Sequence, residues 1–233
     1  MRDLGINETG ILVSCSDYHI FKKLGMTRGQ ALEHYLKIIS LALEMGIRPR
    51  CHFEDITRAD FYGFVVPFVN EIQRLSEEAG VPIRIRACDT MGYGEPYSEV
   101  ALPRSVPGII YGLQHYSDVP SAMLEWHGHN DFYKGVANAT CAWLYGASAV
   151  NCSMLGIGER TGNVDAVTLA MNLYSHGVDP KLDFSNMPEI CDTYERMTRM
   201  HIYERTPYAG QLVFAAFSGS HQDCLLYTSP SPR

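Results

Sequence analysis

The stretch Glu125-Trp-His-Gly-His-Asn-Asp131, followed downstream by Gly156-Ile-Gly-Glu-Arg-Thr-Gly-Asn163, decides how this chain is read. Alternate side chains of a strand share one face, so His127 and His129 project together from the end of a strand. Two imidazoles so placed can grip one side of a metal ion, and Asn163, closing a second glycine-rich turn, offers an amide oxygen as a further ligand. An isolated His-x-His is more often a core or surface pair. Here both motifs stand where a strand gives way to a turn, which favours metal binding.

Working outward, the same strand-then-polar-turn grammar repeats five times. Residues 10–16 read as a buried strand, followed by the capping-box pattern Thr27-Arg-Gly-Gln30 and a helix carrying Leu32, Tyr35, Leu36, Ile39 and Leu43 on one face. A strand over Arg48 to Asp55 leads to a helix with Phe64, Val65, Phe68, Val69, Ile72 and Leu75, in which Pro67 marks the first turn or a kink. Strand 82–89 precedes a helix over 102–116, strand 122–127 a helix over 133–145, and strand 148–154 a helix over 164–175. Polar residues follow each strand: Ser16-Asp17, Glu54-Asp55, Asp89-Thr90, His127 and His129, and Glu159 to Asn163. That is the pattern of an α/β (β/α)8 TIM barrel, whose sites lie at the C-terminal ends of its strands. The competing doubly wound sheet would show a glycine-rich phosphate loop after its first strand, and none is present. A closed barrel needs eight units, so the expected fold is an incomplete barrel holding about the last five.

The organisation expected is a partial barrel over 1–178, a helical linker subdomain over 179–223 with a helix from Pro188 to His201, and a non-native tail over 224–233, whose Thr-Ser-Pro-Ser-Pro-Arg ending continues no pattern. Nineteen basic against 26 acidic side chains give a net charge of −7, which argues against a general nucleic-acid binder. No run of 18 apolar residues suggests a membrane span. Seven scattered cysteines without CxxC spacing fit a reducing, cytoplasmic setting.

Together, His127-Gly-His-Asn-Asp131, Gly156 to Asn163, Glu54-Asp55 with Arg58, Asp89-Thr90 and Phe217-Ser-Gly-Ser-His-Gln-Asp223 resemble the metal-dependent acyl-CoA condensing barrels: 2-isopropylmalate synthase, homocitrate synthase, the Re-face citrate synthases and their relative HMG-CoA lyase. The resemblance implies a Claisen-type condensation of acetyl-CoA with a 2-oxo acid, an acyltransferase of the EC 2.3.3 type. A divalent metal (Mg2+, Mn2+ or Zn2+) would be held by His127, His129 and Asn163. It further implies Glu54 and His221 as a catalytic base pair, Thr90 as a hydrogen-bond donor to the substrate carboxylate, and a homodimer whose linker supplies His221 across subunits. The family's first-strand Asp and Arg are not among these 233 residues, so weak metal binding and poor turnover are expected of the chain as it stands. Phe184-Ser-Asn and Ser218-Gly-Ser-His-Gln look most like 2-isopropylmalate synthase, an enzyme of leucine biosynthesis.

The residues themselves pull the other way. If Glu54 and Thr90 face the barrel interior, period two places His52 and Arg86 there as well. Cationic groups inside would suit a dicarboxylic 2-oxo acid, as in Re-citrate or homocitrate synthase. Alternatively, Arg86 pairs with an acidic residue lower in the barrel. The remaining alternatives are a lyase of the HMG-CoA lyase kind and an inactive fragment. Glu54 could also be an ion-pair partner of Arg58, Thr90 a strand-end cap and His221 a solvated loop residue.

Overall fold

The structure, a computed structural model, describes residues 4–213 and 215. It divides into two compact units, Met1–His176 and Gly177–Arg233. In the first, strands β1 (Glu8–Ser14), β2 (Arg48–Glu54), β3 (Arg84–Asp89), β4 (Leu124–Gly128) and β5 (Ala149–Asn151) form one sheet in the order β1-β2-β3-β4-β5, every pair parallel. This monotonic order decides between the two candidate architectures. A doubly wound sheet reverses its strand order at a switch point, whereas a barrel adds each strand beside the last. The chain forms a five-strand arc of a (β/α)8 barrel.

Helices α1 (Arg28–Glu44), α2 (Val66–Ala79), α3 (Val106–His115), α4 (Gly135–Leu144) and α5 (Ala166–Ser175) follow the strands. Strand residues Val13, Phe53, Ala87 and Trp126, all fully buried, face the helices and pack with Tyr35, Phe68, Ile72 and Ile109 into the core. Phe68 of α2 is its aromatic centre, with ring centroids 5.2 Å from Phe53 and 5.7 Å from Tyr35. The opposite, concave face is polar and layered by register. Leu12, His52, Arg86, Glu125 and Ala149 lie level, and Ser14, Glu54, Cys88, His127 and Asn151 form the layer above.

Local signals set the helix starts. Thr27 caps α1 in a complete capping box with Gln30, as its spacing predicts. Asp165 caps α5 through the Val167 and Thr168 amides. Pro67 occupies the first turn of α2, which a π-helical turn over Phe61–Val65 precedes. The third helix begins later than its apolar pattern suggests, at Val106. Pro103 biases Leu102 away from helical backbone, Ser105 caps through the Gly108 amide, and Pro107 fits the first turn. The last strand is shorter than 148–154, because Met154–Gly156 turns into a 3-10 segment with Leu155 at φ 52°.

The second unit contains α6 (Met187–Thr198). Asn186 caps it, Pro188 sits in its first turn, and Arg199 in left-handed backbone ends it three residues before His201 could join. Thr206–Val213 forms turns without regular structure. His221, the Phe217–Asp223 motif and the 224–233 tail lie outside the described residues.

Candidate metal and substrate site at the strand ends

The C-terminal ends of the strands bring His127, His129 and Asn163 together. The two imidazole rings lie with centroids 4.8 Å apart at 89°. His129 and Asn163 form an isolated antiparallel bridge, and the Asn163 side-chain amide donates to the Gly128 carbonyl at 3.3 Å. Each ring is oriented from behind. His127 Nδ1–H donates to Asn151 Oδ1 at 2.7 Å, and His129 Nδ1–H donates to the Asp89 carbonyl at 3.2 Å. Since both acceptors are oxygens, both Nε2 atoms carry a lone pair, the arrangement in which outer hydrogen bonds fix tautomer and aim for a ligating imidazole. Burial first, and His129 second, push the His127 pKa down to about 4, so the ring is neutral and ready to donate a lone pair at pH 7.

The glycine-rich turn is built around Asn163. Its backbone N–H donates to the Gly156 carbonyl at 2.9 Å, and the carbonyl of Gly162, at φ 103°, accepts the Asn130 N–H at 2.9 Å. A Cβ on Gly158 would sit 1.8 Å from Asn163 Oδ1, and one on Gly162 2.2 Å from the Gly156 carbonyl oxygen, so neither position admits a side chain. With its NH2 group committed, the Asn163 amide keeps its oxygen as an acceptor. Among the described residues no cage of three His, Cys, Asp or Glu side chains occurs. Two imidazoles and an amide, which leave coordination positions open, are what this chain offers a divalent cation, and the donor set fits one. Asn151→Leu removes the hydrogen bond behind His127. It is expected to weaken metal affinity by roughly 10–100-fold, as loss of an outer partner does, read by metal titration.

Arg160 binds the loops of this corner to one another, a role its motif alone did not disclose. Its guanidinium grips Asp131 at 2.8 and 3.1 Å and donates to the Thr90 carbonyl at 2.6 Å, joining the loops after β3, β4 and β5. Thr90 Oγ1 accepts the Asp55 N–H at 2.8 Å, which is the capping role, while its own O–H stays available to a ligand.

Glu54 lies beside this corner. It accepts from the Ser14 hydroxyl and from Lys23 Nζ at 2.9 and 3.0 Å, with His19 Nδ1 3.3 Å away. Burial raises its pKa, but Ser14, Lys23 and His19 outweigh that and hold it below the usual carboxylate range. Arg58 pairs instead with Asp55, at 2.8 and 3.0 Å, because Asp55 turns into left-handed backbone at φ 68°. Neither Lys23 nor His19 was singled out from sequence; only the closure of the first loop over β2 brings them to Glu54.

The cationic wall expected from period two is half correct. His52 and Arg86 do occupy the concave face, but neither presents a free charge there. Arg86 is committed to Glu125, at 2.8 and 2.7 Å, and Glu125 also attracts Arg50 at 3.3 Å and Arg84 at 3.5 Å. This is the lower-layer ion pair that the sequence offered as the alternative for Arg86. Burial, then Arg86 and Arg50, lower the His52 pKa to about 4, so its ring is neutral. The His52 ring instead leans over Gly10, where a Cβ would come within 3.1 Å, and its buried Nε2 has no partner among the described residues.

Comparisons with known proteins give the chain its family. The HMGL-like family matches residues 4–193. The chain belongs to the HMGL-like family. It is 52% identical, over 97% of its length, to a citrate (Re)-synthase of Clostridium kluyveri, of which it spans 50%. A 2-isopropylmalate synthase of Helicobacter hepaticus is also 52% identical, but over only 54% of this chain and 23% of that protein. Among solved structures, hydroxymethylglutaryl-CoA lyase from Pseudomonas aeruginosa superposes with a TM-score of 0.68 at 18% identity, covering 92% of this chain and 69% of that one. The HMGL-like chain thus spans about half the length of the curated relatives it matches. No helix among the described residues is long and apolar enough to cross a membrane.

Proposed function

We propose that the protein condenses acetyl-CoA with oxaloacetate, as a citrate synthase of the Re type, and that the site at the strand ends carries the reaction. The observation that favours this over 2-isopropylmalate synthase, the sequence's first choice, is extent. Similarity to citrate (Re)-synthase runs through 97% of the chain, and the same level of identity to an isopropylmalate synthase runs through 54%. Of the two motifs behind the isopropylmalate reading, Phe184-Ser-Asn precedes α6 and Ser218-Gly-Ser-His-Gln lies outside the described residues.

His127, His129 and Asn163 would hold a divalent cation, which when bound supplies Lewis-acid polarisation of a 2-oxo carbonyl. The chain's own groups do the rest. The Thr90 O–H, whose oxygen already accepts the Asp55 N–H, donates to a substrate carboxylate. His52, on the concave layer below Glu54, is carried over as a contact for a second carboxylate. Glu54 stays ionised and orients a base, the role carried over to His221.

With the protein at its natural length, acetyl-CoA and a panel of 2-oxo acids, free thiol should appear fastest with oxaloacetate and only in the presence of Mg2+, Mn2+ or Zn2+. Preference for 2-oxoisovalerate would return the chain to the isopropylmalate reading, and release with no acid would remove the acyltransferase reading.

A further inference from the structure

The loop between β1 and α1 closes over the end of β2 and delivers one cation to it. Its middle is the π-helical turn Tyr18–Lys23, anchored in the core by the fully buried Ile20. At the start of α1, the Arg28 guanidinium grips Asp17 with two bonds of 2.7 Å and reaches Asp60 at 2.8 Å. Lys23 stands at the end of this pinned turn. Its Nζ lies 2.9 Å from Glu54 Oε1 and 3.0 Å from Oε2, and Glu54 is the only carboxylate within 4.0 Å of it among the described residues.

An ionised carboxylate accepts about four hydrogen bonds, two at each oxygen. Oε2 is filled by the Ser14 hydroxyl and Lys23, and His19 Nδ1 stands 3.3 Å from that oxygen without forming a hydrogen bond. Oε1 takes Lys23 alone, so one lone pair stays open there. Ser14 meets a single oxygen, whereas Lys23 bridges both and thereby fixes the plane of the group. The groups around the carboxylate are Ser14 and Tyr35 behind it, His19 and Lys23 on the loop, Cys88 on β3 and the neighbouring Asp55. Of these, Lys23 alone carries a permanent positive charge. Burial raises the Glu54 pKa, and the Ser14 and Lys23 hydrogen bonds lead the groups that hold it below the usual carboxylate range.

We propose that Lys23 is the positioning residue of Glu54: lying across both oxygens, it fixes the carboxylate's plane and leaves the open Oε1 lone pair to meet the base. The inference rests on the reading of Glu54 given above and adds the group that sets its direction. The test titrates the isotope-labelled glutamate carboxyls of the protein at its natural length by NMR, with the Glu54 signal assigned by its loss in Glu54→Gln, and follows thiol release against pH. In Lys23→Met the Glu54 titration should move to higher pH, because the carboxylate loses a charge-assisted donor, and the acid limb of kcat/KM should move with it. At neutral pH kcat should fall about tenfold while KM for the 2-oxo acid stays within about twofold, since the lost contact serves the base and not binding. Lys23→Arg should recover most of both losses. Circular dichroism checks folding, and Lys23→Gln reads the same quantities if Lys23→Met fails to fold. A Glu54 titration that Lys23→Met leaves in place, or one that moves while kcat and the acid limb do not, overturns the proposal. A titration that moves in a protein that condenses no 2-oxo acid would remove the enzyme reading and keep Lys23 as the group that sets the Glu54 carboxylate.

Discussion

His127→Ala should strip the protein of its divalent metal and take condensation with it. The loss should exceed the roughly 10–100-fold expected for removing the Asn151 partner behind the same ring, because the lone-pair donor itself disappears. Metal content after gel filtration and thiol release in the same preparation read the two effects together. Fold should survive, since the ring lies on the concave layer and not among Phe53, Trp126 and Phe68. Full metal content in the variant would make the imidazole pair structural.

Glu125→Ala should be the most damaging substitution on the concave face, at about 3–5 kcal/mol, the range for removing one partner of a buried ion pair. Glu125 is only 3% exposed and compensates Arg86 directly, with Arg50 and Arg84 close by. Its loss leaves guanidinium charge in the interior with Glu8 as the nearest remaining counter-ion of Arg50 and Arg84. Urea denaturation measures the loss. Pairing Glu125→Met with Arg86→Met should recover much of it, because an apolar pair replaces a charged one. A cost below about 1 kcal/mol, typical of exposed pairs, would mean that the layer is hydrated and that Arg86 is free to meet a substrate after all.

Much of this was legible in the residues. The alternation of apolar strands, polar strand ends and amphipathic helices identified five βα units, and Thr27 with Gln30 marked a helix start to the residue. Period two placed His52, Glu54, Arg86 and His127 on one face, and the register bears that out. What period two cannot supply is the partner across the sheet. Arg86 lies level with Glu125 only because the intervening helix sets the register of β4 on β3, and that pairing turned an apparent cation into a neutral layer. The same limit hid Arg160, whose reach to Asp131 and Thr90 depends on how three loops close. It also hid Lys23 and His19 beside Glu54. The imidazole pair was legible because His127 and His129 stand two residues apart at the end of β4, where spacing alone fixes direction.

Pulsed electron paramagnetic resonance of the Mn2+-loaded protein tests the central claim most directly. Nitrogen couplings from two imidazoles should appear, and His127→Ala and His129→Ala should each remove one. An Mn2+ signal without imidazole nitrogen coupling, or one that both variants leave unchanged, would contradict a metal centre at the ends of these strands.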